Sequence, residues 1–317
     1  MRMLEGAVVV LTGASSGIGR VAANMFARRH AKLVLAARGA GPLHDVVRRC
    51  IELGAEAIAV PTDVRDESQV LALRDAAVAR FGRIDVWVND AAVYMMGNLD
   101  QVPSELVRGL FETNVMGFFH GAKAAVTQFR KQGEGTLISV GSVAGKVPYA
   151  KASAYCASKH AIHAMNAALR QELVGTKIQA CIVAPASVDT PFFDHAANYT
   201  GQEMKAMPPI YSPYRVARAI VRCAQHPRRE ILVGSAPFGF TLFHMLFPWL
   251  FERAQPRIIE QSHLGPAPAP KIPGNIPDTL PPYDDDAGWM KGRQSVLSLI
   301  PEKPVPPLAP ASVGAEE

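Results

Sequence analysis

The stretch "LTGASSGIGR" at residues 11–20 decides the fold of this chain. It follows an apolar run, opens a segment of helical period, and carries Gly13, Gly17 and Gly19 in a TGxxxGxG pattern. Gly13 permits a tight turn, and the missing Cβ of glycine lets the backbone approach a pyrophosphate. The helix that follows offers unpaired N–H groups and the positive end of its dipole. A glycine-rich turn at a strand-to-helix junction therefore predicts a dinucleotide site.

The same letters match G-x-S-x-G, which would make Ser15 the nucleophile of a serine hydrolase. In that fold several strands precede the nucleophile, whereas a single predicted strand precedes Ser15 here. The dinucleotide interpretation is favoured, and the hydrolase stays as an alternative.

Short apolar runs alternate with segments of helical period along most of the chain. The predicted strands are nearly continuous apolar runs, as expected for strands covered on both faces, at 7–11, 32–37, 55–60, 84–88, 135–140, 177–183 and 230–234. The predicted helices are 17–29, 42–53, 67–81, 103–130, 153–174 and 213–225. We predict an α/β fold, a doubly wound (Rossmann), mostly parallel sheet of about seven strands flanked by helices.

The chain divides into three predicted regions. Residues 1–235 form a Rossmann dinucleotide-binding and catalytic domain, and residues 236–263 form an apolar, aromatic-rich C-terminal helical segment. Residues 264–317 are rich in proline and cannot bury enough apolar area to offset their ordering entropy, so we expect a disordered tail.

Composition limits the classes of function. The 317 residues are 49% hydrophobic, with a net charge of +5 that is not clustered, so we expect no nucleic-acid partner. The four cysteines are too far apart in sequence to indicate a metal site or a redox pair, and Cys156 is expected to be a small buried residue rather than a nucleophile. The N-terminus lacks the features of a signal peptide, which predicts a cytoplasmic protein.

The second predicted strand ends in "LAARG" at residues 35–39. Dinucleotide folds that select NAD place an acidic residue here to hold the ribose 2′-hydroxyl. This chain has Ala37 and Arg38 instead, and a guanidinium suits a 2′-phosphate. NADP(H) is therefore favoured over NAD(H).

"YCASK" at residues 155–159 sets a phenol and an ammonium four residues apart. On a helix, Tyr155 and Lys159 lie on one face. An adjacent ammonium lowers the pKa of a phenol, and the effect is large only when the pair is partly desolvated. Ser142 lies thirteen residues before Tyr155, at the end of a predicted strand. This is the edge of the sheet where ligands bind in such folds. Asn114 stands inside a helical pattern between apolar neighbours, which suggests a hydrogen-bonding task or a local kink.

Together these motifs resemble the short-chain dehydrogenase/reductase family over about residues 5–235. The resemblance rests on TGASSGIG (12–19), Asp63–Val64, NDAA (89–92), Asn114, Ser142, Tyr155 with Lys159, and PASVDTPF (185–192). It implies Asn114, Ser142, Tyr155 and Lys159 as the catalytic set. It implies that the cofactor contacts Gly13, Ser15, Ser16, Gly17, Ile18, Gly19, Arg38, Asp63, Val64, Asn89, Ala91, Tyr155, Lys159, Pro185, Val188 and Thr190, with no metal.

The resemblance implies a role for each catalytic residue. Tyr155 would be the general acid/base, and Ser142 would hydrogen-bond the substrate oxygen. Lys159 would hold the nicotinamide ribose and lower the pKa of Tyr155, and Asn114 would hold a water linking Lys159 to solvent. Two departures lie beside the cofactor: NDAA replaces the usual NNAG, and Pro185–Ala186 replaces the usual PG.

The predicted pocket walls are apolar: Val93, Tyr94, Met95, Val143, Val147, Tyr149, Phe192 and Phe193. We therefore expect a lipophilic ketone, aldehyde or alcohol as the substrate, under a loop at 190–212. The segment "PFGFTLFHMLFPWLF" at 237–251 is too short and broken to span a bilayer. It predicts either an oligomer contact or pocket wall, in a homo-oligomer, or a helix lying on a membrane surface.

Three functions stay open from the sequence alone. The first is an NADP(H)-dependent oxidoreductase, and the second is a non-catalytic cofactor-binding regulator on the same fold. The third is the hydrolase at Ser15. The intact Asn114–Ser142–Tyr155–Lys159 set favours the first, because a sensor needs only the glycine-rich loop.

Overall fold

The computed structural model describes residues 3–234 and 236–278, with residues 236–238 described by their backbone alone. The strands are β1 Val8–Thr12, β2 Lys32–Ala37, β3 Ala57–Pro61, β4 Val86–Asn89, β5 Met95–Met96, β6 Glu134–Val140, β7 Lys177–Pro185, β8 Ala197–Asn198, β9 Gln202–Met204, β10 Glu230–Val233 and β11 Leu264–Pro268. The α-helices are α1 Gly17–Ala27, α2 Ala40–Glu52, α3 Glu67–Phe81, α4 Ser104–Phe111, α5 Gly117–Gln132, α6 Ser153–Glu172, α7 Pro213–Gln225, α8 Ala236–Leu246 and α9 Pro248–Ser262.

The central sheet of the described chain has seven strands in the order β10-β7-β6-β4-β1-β2-β3. Every neighbouring pair in it is parallel, which confirms the predicted doubly wound fold. From β1 the chain builds outward through β2 and β3, then returns to the other side of β1 with β4. Ligands of such sheets bind where the strand order reverses, outside the carboxyl ends of the strands.

The strands of the main sheet are mostly apolar, as expected for a sheet that is covered on both faces. Val9 and Leu11 of β1 belong to one buried cluster, together with side chains of α1, α2 and α7. Val10 points to the other face and joins Trp87 and Phe129 in a second cluster with α3, α5 and α6. Successive side chains of a strand alternate between faces, so a strand between two helical layers has no polar side.

The predicted helix over 103–130 is interrupted. A π-helical turn at Glu112–Met116 separates α4 from α5, and it carries Asn114, which is 2% exposed. Thr113 Oγ1 donates to the carbonyl of Gly109 within this segment. Such single-turn widenings of a helix are frequent at functional sites. Of the two expectations for Asn114, the hydrogen-bonding task is confirmed, and the helix is locally widened at this residue.

The C-terminal region packs onto the sheet domain. Ile259, Leu264 and Ile276 share a buried cluster with Tyr94 and Tyr155. No described helix is both long enough and apolar enough to cross a membrane.

The predicted disordered tail is wrong for residues 264–278. β11 pairs antiparallel with β9, and the backbone of Ile272 exchanges two hydrogen bonds with Asn198. We call residues 269–278 the C-terminal strap. Backbone pairing to a loop orders this proline-rich segment with few buried side chains, among them Ile276 at 1% exposure. The rest of the predicted tail, 279–317, lies outside the described residues.

Candidate active site

The glycine-rich turn joins β1 to α1 and leaves room for close backbone approach. Gly13 has φ +73, and a Cβ there would lie 2.8 Å from the backbone nitrogen of Ala91. A Cβ on Gly19 would overlap the carbonyl oxygen of Gly13. Thr12 Oγ1 accepts from the N–H of Asp90 at 3.2 Å, which ties the turn to the end of β4. A side chain at Gly13 or Gly19 would therefore collide with nearby backbone, and glycine keeps this space open.

A cleft of about 360 Å³ opens at this edge of the sheet. It brings together fourteen of the predicted site residues: Gly13, Ser15, Ser16, Gly17, Ile18, Arg38, Val64, Ala91, Ser142, Tyr155, Lys159, Pro185, Val188 and Thr190.

Four predicted residues do not line the cleft. Gly19 packs behind the turn, and the carboxylate of Asp63 is held by the guanidinium of Arg65 at 2.6 Å. Asn89 accepts from Trp87 Nε1 at 2.8 Å and donates to the carbonyl of Phe118 at 3.2 Å, so its carboxamide holds β4 against α5. The fourth residue, Asn114, lies beneath the cleft.

Tyr155 and Lys159 lie one turn apart on α6, as predicted, and both are buried. Lys159 Nζ stands 5.8 Å from the centre of the Tyr155 ring and donates to the carbonyl of Val140 at 3.2 Å. Ser142, just beyond the end of β6, hydrogen-bonds the Tyr155 phenol through its side chain. The Ser142 Oγ also accepts from the N–H of Ala144 at 3.1 Å, which fixes its position.

Burial dominates the acid–base properties of this pair. It raises the pKa of Tyr155, and the hydrogen bond from Ser142 opposes that rise. Burial lowers the pKa of Lys159 to about 8, against an attraction from the carboxylate of Asp90. Desolvation of the phenol outweighs the hydrogen bond from Ser142, so the net shift of the Tyr155 pKa in the protein alone is upward, and the lowering expected from Lys159 stays a prediction.

Asp90, one of the departures from the usual motif, interacts with Lys159. Burial raises its pKa to about 7, against an attraction from Lys159 and a hydrogen bond from the N–H of Gly19. It lines the cleft between these two groups. The sequence showed Asp90 as a substitution, but its pairing with Lys159 depends on tertiary contacts.

Both polar atoms of the Asn114 carboxamide form hydrogen bonds. Its Oδ1 accepts from the N–H of Val93 at 2.8 Å, and its Nδ2 donates to the carbonyl of Val93 at 3.0 Å and to Ser158 Oγ at 3.1 Å. Asn114, Val140 and Lys159 also line a separate cavity of about 10 Å³. That volume is close to the smallest that holds one water molecule.

The other end of the cleft is aromatic. The rings of Tyr94 and Tyr155 lie 4.7 Å apart, edge to face, and Phe192 and Phe193 pack against Tyr94. Seven of the eight predicted wall residues line the cleft; Met95 does not, because it lies in β5 and pairs with Ala197.

A buried hydrogen-bond chain runs through this wall. His263 Nδ1 contacts the carbonyl of Lys205, an acceptor, so Nδ1 carries the proton and Nε2 accepts. Tyr94 donates to Nε2 at 2.9 Å, and Tyr149 donates to the Tyr94 oxygen at 3.3 Å. Burial lowers the pKa of His263, which keeps the ring neutral. No local pattern pointed to His263, since it lies just after α9, far along the chain from the motifs of the sheet domain.

The C-terminal helices close the same end. Phe240, Phe251, Gln255, Ile258 and Ile259 line the cleft from α8 and α9. Gln255 Oε1 accepts from the N–H of Ala150 at 3.0 Å, which attaches α9 to the sheet domain. The pocket-wall interpretation of 237–251 therefore holds for Phe240 and Phe251, whereas the sequence analysis did not identify Gln255, Ile258 and Ile259 as wall residues.

Two other sequence hypotheses concern Cys156 and metals. Cys156 is buried as expected, and burial raises the pKa of its thiol to about 11. Within residues 3–234 and 236–278, no group of three or more His, Cys, Asp or Glu side chains is arranged to hold a metal ion.

Comparison with known proteins agrees with this geometry. The family model for short chain dehydrogenases matches residues 7–199. The chain is 35% identical to the uncharacterized oxidoreductase YxnA of Bacillus subtilis over 315 residues, 96% of this chain and 88% of that protein. It is 30% identical to the ketoacyl reductase HetN of Nostoc over 246 residues, 78% of this chain and 85% of that protein.

A solved structure has a similar fold. A short-chain dehydrogenase/reductase from Burkholderia phymatum, crystallised in complex with NAD, superposes with a TM-score of 0.71 and 28% identity, covering 79% of this chain and 96% of that one. With a matching family model, a parallel seven-stranded sheet and these relatives, the chain belongs to the short-chain dehydrogenase/reductase family of oxidoreductases.

Proposed function

We propose that this protein is an NADP(H)-dependent oxidoreductase that interconverts a lipophilic ketone or aldehyde and its alcohol. The observation that carries the proposal is that Ser142, Tyr155 and buried Lys159 line one cleft, with Ser142 close enough to the Tyr155 phenol to lower its pKa. Two hydroxyls that converge on one point suit the oxygen of a carbonyl group.

A nicotinamide dinucleotide fits the residues present. The turn at Gly13 and Gly19 would take a pyrophosphate, because a Cβ at either position collides with backbone. Ser15, Ser16 and Ile18 would hold the phosphates, Val64 and Ala91 the adenosine side, and Pro185, Val188 and Thr190 the nicotinamide side. When bound, the nicotinamide supplies or accepts the hydride.

The chain's own residues handle the proton. Tyr155 holds a proton on its phenol at neutral pH, since burial raises its pKa, and it would donate that proton to the carbonyl oxygen. Ser142 Oγ would hydrogen-bond the same oxygen and orient it. Lys159, with a pKa of about 8, carries most of its charge at pH 7 and would stabilise the phenolate left behind.

Asn114 fits a supporting role in this scheme. Its carboxamide contacts Val93 and Ser158 rather than Lys159, but it lines the same cavity of about 10 Å³ as Lys159. A water in that cavity would connect Lys159 to Asn114, and proton return to Tyr155 would run through it.

The preference for NADP(H) rests on Arg38. No acidic residue stands at the end of β2, and Arg38 lines the cleft with a buried Nη1 that has no hydrogen-bond partner among the described residues. A buried unpaired donor is costly, and a 2′-phosphate would satisfy it. The Burkholderia phymatum protein was crystallised with NAD. The proposed preference for NADP(H) therefore rests on this chain's own residues near the adenosine ribose, not on that relative.

The preference for a lipophilic substrate rests on the aromatic wall. Tyr94, Phe192 and Phe193 face the site from one side, and Phe251 and Ile259 from the other. Burial of apolar substrate area against such walls supplies about 25 cal/mol per Å².

The exposed apolar surface of α8 and α9 supports a further proposal, contact with a membrane surface or with a second copy of the chain. Met245, Leu246 and Trp249 are 69%, 58% and 63% exposed, and residues 231–251 contain no Asp, Glu, Lys or Arg. Patches of this kind mark interaction sites.

The two alternative functions have less support. Ser15 lines the cleft, but no histidine hydrogen-bonds it in the described part of the chain, as a hydrolase would need. A non-catalytic regulator would not require Ser142 to hydrogen-bond Tyr155.

The deciding experiment is a screen for NADPH consumption over lipophilic ketones and aldehydes, with Tyr155→Phe as the paired variant. We expect turnover for the native chain and a loss of about 10²- to 10⁴-fold in the variant, the usual contribution of a general acid. Turnover that persists unchanged in Tyr155→Phe overturns the mechanism.

A further inference from the structure

The C-terminal strap reaches the end of the cleft where the adenosine ribose would lie. Arg38 Nη2 donates to the carbonyl of Asn275 at 2.8 Å, across 237 positions of sequence. Asn275 and Arg38 line the same cleft, together with Gly39 and Pro42 from the start of α2. The sheet domain alone therefore does not complete this end of the site.

The backbone fixes the position of Asn275. Gly274 has φ +58, and a Cβ there would overlap the backbone of Ala196 and Ala197. The N–H of Asn275 donates to the carbonyl of His195 at 2.8 Å. Ile276 is 1% exposed and anchors the next position against Gly109. The strap is thus held on both sides of Asn275 without help from its side chain.

The carboxamide of Asn275 has no structural task. Its Oδ1 is buried and has no hydrogen-bond partner among the described residues, and the same is true of Arg38 Nη1. More than nine in ten buried polar groups of proteins are paired, so two unpaired groups in one cleft indicate a missing ligand. One is a cationic donor and the other an acceptor, which matches a ribose that carries an anionic group and a free hydroxyl.

We propose that Asn275 is a cofactor-binding residue that accepts a hydrogen bond from the adenosine ribose while Arg38 Nη1 binds its 2′-phosphate. This inference rests on the proposed function, since it requires that the cleft takes a dinucleotide. It adds a residue beyond the matched span 7–199 and beyond the resemblance at residues 5–235.

The charges around Arg38 make the site sensitive to one added negative charge. Asp63 and Asp278 attract the Arg38 guanidinium, and Arg65 repels it. Arg65 is itself bonded to Asp63 and to the strap carbonyls of Ile276 and Pro277. The two acids and two bases nearly balance, so a carboxylate at position 275 would repel a 2′-phosphate and still accept from a ribose hydroxyl.

Calorimetric titration of the full chain with NADP⁺ and with NAD⁺ tests the inference in Asn275→Ala and Asn275→Asp. We expect Asn275→Ala to raise both dissociation constants by about 5- to 20-fold, the effect of one lost hydrogen bond to ligand. Asn275→Asp should raise the constant for NADP⁺ at least about tenfold more than that for NAD⁺. Lys271→Ala, exposed on the same strap, should leave both within about twofold.

The outcomes separate the inference from the function it rests on. If the native chain binds neither dinucleotide, the proposed function fails, and this inference with it. If the native chain binds and both Asn275 variants bind as it does, the inference alone is overturned. The ratio of the two constants in Asn275→Asp comes from one folded sample, so it decides the question even if a variant is less stable. The melting temperature of the ligand-free variants should stay close to that of the native chain, because the Asn275 Oδ1 has no hydrogen-bond partner among the described residues.

Discussion

Asp90 and Lys159 attract each other inside the protein, although burial works against the charge of both. The pKa of Asp90 is raised to about 7 and that of Lys159 is lowered to about 8 by desolvation, and each charge opposes the shift of the other. These two titrating groups therefore connect the glycine-rich turn, which bonds Asp90 through the N–H of Gly19, with helix α6, which carries Lys159.

Asp90→Asn should alter how stability depends on pH. Between the ordinary value of 3.8 and a pKa of about 7, native Asp90 keeps a proton that the unfolded chain loses, so the native protein loses stability as pH rises through this window. Asp90→Asn has no carboxyl group there and cannot lose this stability. We therefore expect the free energy of unfolding of the variant, minus that of the native chain, to be at least about 1 kcal/mol larger at pH 8 than at pH 4. Urea unfolding at both pH values measures it. Asp45→Asn, at an exposed ion pair, should show no such change.

Ser142→Ala should weaken catalysis and move its pH profile. Loss of a hydrogen bond that lowers the pKa of Tyr155 raises that pKa further, so the acidic limb for alcohol oxidation should shift to higher pH. We expect kcat to fall by about 10²- to 10³-fold. The profile of kcat against pH, with exposed Ser153→Ala as control, tests both effects. A normal profile would contradict the role given to Ser142.

Gly19→Ala should destabilise the protein and weaken dinucleotide binding. The new Cβ would overlap the Gly13 carbonyl and lie 2.9 Å from Asp90 Oδ2, so the turn must shift, at a cost of about 1–3 kcal/mol. Gly41→Ala is the matched control, because nothing lies within 4 Å of a Cβ at that position of α2. It should stabilise the helix by about 0.5–1 kcal/mol. Thermal melting of both variants measures the contrast, and equal effects would show that the turn is not tightly packed.

Arg38→Ala should lower the affinity for NADP⁺ far more than that for NAD⁺. A charge-assisted hydrogen bond contributes about 1.5–3 kcal/mol, which corresponds to about 10- to 150-fold in the dissociation constant. Arg48→Ala removes an arginine whose side chain is 70% exposed, and it controls for general charge. Equal losses for both dinucleotides in Arg38→Ala would remove the argument for NADP(H).

The surface of α8 and α9 should bind vesicles containing an anionic lipid. Trp249→Ser and Leu246→Ser each remove an exposed apolar side chain and should reduce flotation of the full chain with such vesicles. Val174→Ser, 81% exposed elsewhere, should not. Light scattering distinguishes the alternative: a solution dimer that Trp249→Ser dissociates, with no flotation, would assign the patch to a second copy of the chain.

Much of the fold follows from local pattern. Continuous apolar runs between helical segments predicted all seven strands of the main sheet, because a parallel strand must be apolar on both faces. The observed strand ends differ from the predicted ones by at most two residues. Asn114, a polar residue among apolar ones, predicted a hydrogen-bonding task or a local kink, but the π-helical turn that interrupts the helix was not predicted.

Site features that depend on distant contacts were not predictable. Ser142, Tyr155 and Lys159 have fixed spacing along neighbouring elements, so the sequence placed them together. Asn275 meets Arg38 from far along the chain, within a segment whose composition indicates disorder. The pKa of Tyr155 likewise depends on how deeply the phenol is buried, which no local spacing encodes.

The strap joins two places that a substrate and a dinucleotide would occupy at the same time. It pairs at Ile272 with Asn198, in the loop beside Phe192 and Phe193, and three residues later it reaches Arg38. A strap that orders around one ligand would also order the boundary of the other, and thermodynamic linkage makes any such mutual effect equal in both directions. Titrations with one ligand, in the absence and in the presence of the other, would measure this coupling as a single factor that is the same for either order of addition.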